Sequence, residues 1–388
     1  MTAFLFTVLG LLLLLSVAYD VYATILDASG RAGPLSQLLN RSVWGAARPF
    51  AYRFSRVRRH RLLNLVGPML MPALIVIYLL LLIVGFALIY FPRMPAEFNV
   101  MPEAVSAGWI ESLYFSGTTL ITVGYGDITP RTPFMRLVAL IEGASGFALI
   151  SLAVTYLITV YRALERKRVI ALSFYHQAEE GADVAGFITH HFVLGRFHGF
   201  DNVLRMAARD INELQESHAE HPVVHYFHPV AIHKSTPRVF FLVLETCAVI
   251  NSCLDPEEYP ETCGHPEVRT LEASGLHVLG QLVAALSLKE ESARPPEEAS
   301  EVSRRLKRRY RQTLRQLSEA GIKTRRDTAE GWEIYRAQRE RWEASLHSFA
   351  HYLGYDWDEV AGDRNLRYAA DDEMDERELP GEKPHIPR

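Results

Sequence analysis

Ser116–Pro130 reads SGTTLITVGYGDITP, placing two glycines, a tyrosine and an aspartate between long apolar stretches. At membrane depth no water satisfies backbone N–H and C=O groups. Such a polar, glycine-rich segment must therefore be buried in protein or line a wet cavity. Its reading depends on whether the flanking stretches cross a bilayer.

They meet the length test, since about 20 apolar residues suffice for a spanning helix. Leu62–Pro92 and Gly143–Tyr161 each lack Asp, Glu, Lys and Arg, and the second helix is expected to begin near Phe134. Met1–Tyr19 is also uncharged, and its helix is expected to continue past Asp20 to Leu26. No basic residue precedes this first run and no small-x-small site follows it, which predicts a retained helix rather than a secretory leader. The 388 residues carry a net charge of −4, but the two ends of the chain differ. Before Arg162 there are 11 Lys+Arg and 7 Asp+Glu, and from Arg162 onward 30 and 38. An apolar membrane part is thus followed by a polar, acidic one.

Arginine sets the orientation. Asp27–Arg61 holds eight arginines and one acid, Pro92–Gly108 holds one arginine and two glutamates, and the third span exits into YRALERKR. The positive-inside rule places the N-terminus outside, the first linker inside, the Pro92–Phe134 connection outside and the large C-terminal part in the cytoplasm. The expected location is the cell membrane, crossed several times.

Trp109–Ile121 suits a helix of about three turns, too short to span, which makes it re-entrant. Thr122-Val123-Gly124-Tyr125-Gly126-Asp127 follows at once, and the chain returns outward through Pro130 and Pro133. Gly124 and Gly126 admit the positive φ that valine or tyrosine resists. Successive carbonyls can then turn to one side, with the Thr122 hydroxyl at the end of the row. Such oxygens can replace the water around a dehydrated monovalent cation. One loop supplies one oxygen per level, so several copies around an axis are required.

TVGYGD preceded by SGTTLI resembles the selectivity filter and pore helix of the potassium-channel family. The resemblance covers about Leu62 to Tyr161. It implies an all-α membrane protein whose pore domain is a helix–pore-loop–helix unit, here with an added N-terminal membrane helix and a mainly helical cytoplasmic domain. It further implies a homotetramer, potassium as the permeant ion, and ion coordination by Thr122, Val123, Gly124, Tyr125 and Gly126. The Tyr125 ring would point into the cuff of pore helices, and Asp127 would stand at the outer mouth. Thr118 occupies the position where some relatives carry a glutamate that pairs with the aspartate after the filter. That pair cannot form here.

The implied organisation is a membrane helix over 1–27, a basic linker over 28–61 and a pore domain over 62–162. Within the pore domain, the outer helix covers 62–92, the pore helix 109–121, the filter 122–127 and the inner helix 134–161. A cytoplasmic helical domain over 163–365 and a disordered acidic tail over 366–388 complete the chain. On the inner helix, Phe147, Ile150, Val154 and Ile158 share one helical face. In the family the position of Gly146 is often a bending glycine, and Gly143 lies one turn earlier. The apolar face below would line the cavity, with Ile158 as a dewetting constriction. Glu142 is costly within a span unless paired or wetted, by roughly 2.5–3.5 kcal/mol. It is assigned to filter support, with Tyr114 or Thr118 as its partner; the competing reading is an interfacial residue before the helix proper.

The arginines of RVRRHR cluster outside any apolar 20-mer, so strong voltage sensing is not expected. Leu35–Arg61, with Trp44, Phe50, Tyr52 and Phe54 among arginines, reads as an interfacial helix on an anionic lipid leaflet. Asp20 and Asp27 are placed to pair with those arginines. Beyond Arg162, apolar spacings of three and four predict helices. No nucleotide-binding glycine fingerprint or EF-hand loop occurs, and the sequence names no regulatory ligand. Nine histidines fall between His176 and His233. They motivate an alternative reading, a membrane-tethered metal-binding sensor or enzyme, although H-E-x-x-H and paired C-x-x-C spacings are missing. The basic run Arg304, Arg305, Lys307, Arg308, Arg309, Arg311 and Arg315 reads as a solvated face paired to glutamates, with anionic lipid as the sharper option. Catalytic residues, cofactors, nucleic-acid partners and metals other than potassium are not expected.

Overall fold

The computed structural model describes residues 2–27, 32–101, 108–177, 184–288 and 296–362. The acidic tail over 366–388 lies outside the described residues. The chain divides into two compact units, Met1–Ala46 with Val66–Arg162 and Ala219–Val224, and Ala47–Leu65 with Ala163–His218 and His225–Arg388.

In the first unit, α1 (Thr2–Val21) runs into a π-helical turn, Tyr22–Leu26. It crosses α3 (Arg56–Tyr90) where two glycines meet: a Cβ on Gly10 would lie 2.6 Å from the Gly85 carbonyl oxygen. Asp20 is fully buried, yet it does not pair with linker arginines as expected. Its carboxylate accepts the Leu35 N–H at 2.8 Å, the Ser36 N–H at 3.2 Å and the Tyr78 hydroxyl at 2.6 Å. Leu35 and Ser36 open α2 (Pro34–Ala51), so Asp20 caps that helix from another helix and uses its charge on the positive end of the dipole. Burial of a carboxylate is tolerable only with such partners.

The outer helix starts six residues before the expected boundary, so the RVRRHR run forms its first turns, and it passes unbroken through Pro68 and Pro72. Beyond it come a short turn, α4 (Met94–Glu97), and β1 (Phe98–Val100), which pairs antiparallel with β2 (Ile128–Pro130) in the register Phe98↔Pro130. Between these strands lies α5 (Trp109–Leu120), where the Glu111 side chain accepts the Gly108 N–H at 2.9 Å and so closes the first turn. The unit's longest helix, α6, covers Pro133–Gln177 and is continuous. Two apolar clusters hold this unit, one around Tyr90, Phe98, Phe115 and Met135, the other around Val17, Tyr78, Leu120 and Leu149.

The second unit contains α7 (Val184–His190) and a hairpin of β3 (Phe192–Val193) and β4 (Arg196–Phe197) turned at Leu194 and Gly195, both at positive φ. Then follow α8 (Phe200–Glu220), α9 (Thr236–Cys253), α10 (Pro260–Cys263), α11 (Pro266–Ala285), α12 (Pro296–Glu319), α13 (Thr328–Glu340), α14 (Glu343–Tyr352) and α15 (Trp357–Ala361). Among the described residues, four helices are long and apolar enough to cross a membrane, α9 among them. Yet α9 is wrapped by α11, α13, α14, α15 and α7, as the central helix of this unit's core. Its Glu245 accepts the Tyr335 hydroxyl at 2.5 Å and the Arg339 guanidinium at 2.6 Å, and Arg339 reaches Glu343 at 3.1 Å. Cutting one partner would strand a buried charge. The protein is an all-α membrane protein, with two short antiparallel strand pairs among the described residues.

Candidate functional site

The loop after α5 has an alternating backbone. Thr122, Gly124 and Gly126 stand at φ +61°, +56° and +84°. The two glycines adopt this region as expected, and Thr122 adopts it against its own preference. The N–H groups fold back: Val123 and Gly124 donate to the Thr118 carbonyl at 2.8 and 3.3 Å, and Thr122 donates to Thr119 at 3.1 Å. Among the described residues, no backbone N–H claims the carbonyls of 122–126. A row of oxygens is left available by the local turn.

The loop is braced on its far side. Met101 N–H donates to the Asp127 carbonyl at 2.9 Å, continuing the β1–β2 pairing, and Asp127 Oδ1 accepts the Ile128 N–H at 3.1 Å. The Tyr114 hydroxyl faces the Asp127 carboxylate. Its ring stacks parallel to that of Tyr125, 6.5 Å between centroids, so Tyr125 points toward the re-entrant helix. Val123 and Tyr125 are exposed on the single chain.

Behind the loop, Glu142 is fully buried. The sequence reading gave it Tyr114 or Thr118; its partners are instead Tyr90, whose hydroxyl lies 2.7 Å from Oε2, and Ser116, 2.5 Å from Oε1. Thr118 turns its hydroxyl to the Phe115 carbonyl. Ser116 Oγ also lies 3.0 Å from the Ile83 carbonyl oxygen. Outer, re-entrant and inner helices therefore meet at one polar knot. Tyr90 closes the apolar run and Ser116 opens the quoted stretch, but nothing in their spacing pairs them with Glu142.

Gly146 packs directly against the Leu120 carbonyl, where no Cβ fits, while a Cβ on Gly143 would stand 3.7 Å from the Thr119 oxygen. α6 runs as one continuous helix through both positions. Phe147, Ile150, Val154 and Ile158 are all exposed on the single chain, as are Leu137, Leu140 and Ile141 elsewhere on the helix.

Among the described residues no three His, Cys, Asp or Glu side chains are placed to hold a metal ion together. Burial pushes His225 down to about 3 and His218 well below the ordinary histidine range, so both are neutral. The three cysteines are free, and burial pushes the Cys263 thiol up to about 11. In the basic helix, Arg305 pairs with Glu343 at 3.5 Å and Arg309 donates to the Ala361 carbonyl at 2.7 Å. In the linker, Trp44 is buried and Tyr52 lies beneath the Arg59 guanidinium, while Phe50 and Phe54 stay exposed.

Comparison with known proteins agrees with this geometry. A family model described as "Ion channel" matches residues 74–163. The "Uncharacterized membrane protein YdjJ" of Bacillus subtilis (strain 168) is 30% identical over 255 residues, 66% of this chain and 72% of that protein. "Protein LctB" of Bacillus caldotenax is 36% identical over 83 residues, 20% of this chain and 61% of its own length. No solved structure matches.

Proposed function

The chain belongs to the family of the Bacillus subtilis membrane protein YdjJ and holds an ion-channel domain, and from that premise we propose that four copies form one potassium-selective pore. The observation that carries this reading is the alternation of positive φ at Thr122, Gly124 and Gly126, with the neighbouring N–H groups tied back to the pore helix. Alternation of this kind lets the carbonyls of Thr122, Val123, Gly124, Tyr125 and Gly126 face a common axis, with the Thr122 hydroxyl below them. A monovalent cation exchanging its hydration shell for these oxygens needs several per level, and one chain offers one. Four loops make the cage. Asp127 concentrates cations at the mouth by its charge.

Below the filter, Phe147, Ile150, Val154 and Ile158 line the cavity, and a ring of Ile158 side chains gates it by dewetting. The N-terminus faces outward, the second unit is cytoplasmic and biases the gate, and the arginine-rich linker attracts anionic headgroups where its exposed face meets the leaflet. Purified protein in liposomes should pass potassium in preference to sodium and be blocked by barium. The native mass of the detergent-solubilised complex should correspond to four chains. Equal sodium and potassium flux, or a two-chain complex, overturns the proposal.

A further inference from the structure

Apart from the loop, one buried cluster is chained by hydrogen bonds from end to end, and all of it lies within the second unit. His60, in the second turn of α3, is 1% exposed. Its Nδ1 lies 2.7 Å from His228 Nε2, and its Nε2 lies 3.1 Å from Glu359 Oε1 of α15. His228 Nδ1 lies 2.9 Å from the Leu353 carbonyl oxygen. The Tyr355 ring stacks on both imidazoles, at 5.4 and 4.2 Å between centroids. Arg56 reaches Asp356 at 2.8 Å and Asp358 at 3.0 Å, and Arg59 reaches Asp356 at 2.7 Å and Glu359 at 3.8 Å. Lys167, which donates to the Phe227 carbonyl at 3.4 Å, is the further cation acting on His228.

Counting hydrogens along this chain fixes its protonation. A carbonyl only accepts, so His228 Nδ1 carries a hydrogen. Burial, reinforced by the charge on His60, holds His228 well below the ordinary histidine range, so it is neutral and its Nε2 is a bare acceptor. His60 must therefore donate through Nδ1. That uses the single hydrogen of a neutral His60 and would leave its Nε2 lone pair facing the Glu359 carboxylate, two acceptors at 3.1 Å. The contact closes only with one further proton in the His60–Glu359 pair. With it on His60, the three cations Arg56, Arg59 and His60 balance the three carboxylates Asp356, Asp358 and Glu359. Burial alone would raise the Asp356 carboxyl, but Arg59 and Arg56 outweigh it and hold it below the ordinary range, so that carboxylate stays charged throughout.

We propose that His60, His228 and Glu359 form a proton-operated latch that fastens the first turns of α3 to α15 while the His60–Glu359 pair holds its proton, and releases them when that proton leaves. The latched state binds the extra proton, so its stability is present at low pH and is lost as pH rises. Without the proton, two buried lone pairs face each other without a donor. Because α3 is continuous from Arg56 to Tyr90, the released turns are the base of the outer pore helix. The consequence for flux rests on the channel reading; the latch itself does not.

Hydrogen exchange on the full-length protein, corrected for the intrinsic pH dependence of exchange, reads the latch directly. Wild-type protection of residues 56–61 and 353–361 should fall about tenfold as the pH is raised from about 6 to about 9. Glu359→Gln offers an amide N–H to a neutral His60, so its protection should stay high at both pH values. His60→Gln, which removes the imidazole between His228 and Glu359, should give low protection that is equally flat. Unchanged wild-type protection across the range, or a full fall retained in both variants, overturns the proposal. In liposomes, potassium flux should respond to the pH bathing the second unit in the wild type and not in Glu359→Gln. Absence of flux at every pH would count against the channel reading alone, and a flux that responds equally in both proteins would count against the latch.

Discussion

Gly124 shapes the loop after α5 by what it lacks, a Cβ at positive φ. Replacing it with alanine puts a Cβ at φ +56°, at a cost of roughly 1–2 kcal/mol per chain, enough to turn the peptide but small against helix packing. Gly124→Ala should abolish potassium flux while the native mass stays that of the wild type, and retained selective flux would remove these carbonyls from the ion's path. Tyr90 and Glu142 pose the opposite case. Tyr90→Phe leaves Glu142 Oε2 without its hydroxyl donor in a dry pocket, which should cost about 1–3 kcal/mol and lower the Tm. The positive φ of Gly124 and Gly126 was legible in sequence because the preference belongs to the glycines themselves. Glu142 was legible as an anomaly, but its partners were not: Tyr90 is 52 positions away and Ser116 is 26, and apolar runs carry no mark of which hydroxyl faces which carboxylate.

Among the helices, α6 shows where periodicity informs and where it stops. Its start near Phe134 could be read from the uncharged run, but its length could not: the expected inner helix stops at 161, whereas α6 continues through the charged residues that follow to Gln177. Nor could the role of its glycines. Gly146 fits the family's bending position, yet here it is the site where the re-entrant helix's last carbonyl touches the inner helix. Gly146→Ala should therefore lower the Tm and the yield of folded protein, whereas Gly143→Ala, with room for a methyl, should leave both near wild type. Equal effects of the two substitutions on gating, with no change in stability, would favour a hinge. The start of α3 was misplaced for a related reason: charged residues end a hydropathy run but not a helix, and Asp356, Asp358 and Glu359 that receive those arginines lie some 300 positions on. In α9 the converse holds, since a helix apolar and long enough to cross a membrane is enclosed by other helices as the centre of the second unit's core.

For the whole molecule, the division into an apolar first part and a charged second part follows from the distribution of arginine and acid alone. The positive-inside rule then yields a specific expectation. A cysteine at Thr2 should label from outside intact cells, and one at Ser55 should be protected; the reverse pattern would invert the chain. The helical character of the second unit was also legible. Its internal wiring was not, because burial of Arg339 against Glu245 and Glu343 depends on three helices arriving together.

Asp20 adds a constraint on the order in which the chain is made. α1 emerges first and brings into the bilayer a carboxylate whose transfer costs about 3 kcal/mol at a helix centre, less near an end. Its donors are Leu35, Ser36 and Tyr78, so relief comes in instalments, as the next helix begins and then as the second span arrives. Until Tyr78 is delivered, α1 is the weakest-held segment of a nascent chain. Ribosomes stalled while that residue is still inside the exit tunnel should yield molecules whose first helix is loosely inserted, and those stalled once it has reached the membrane should not.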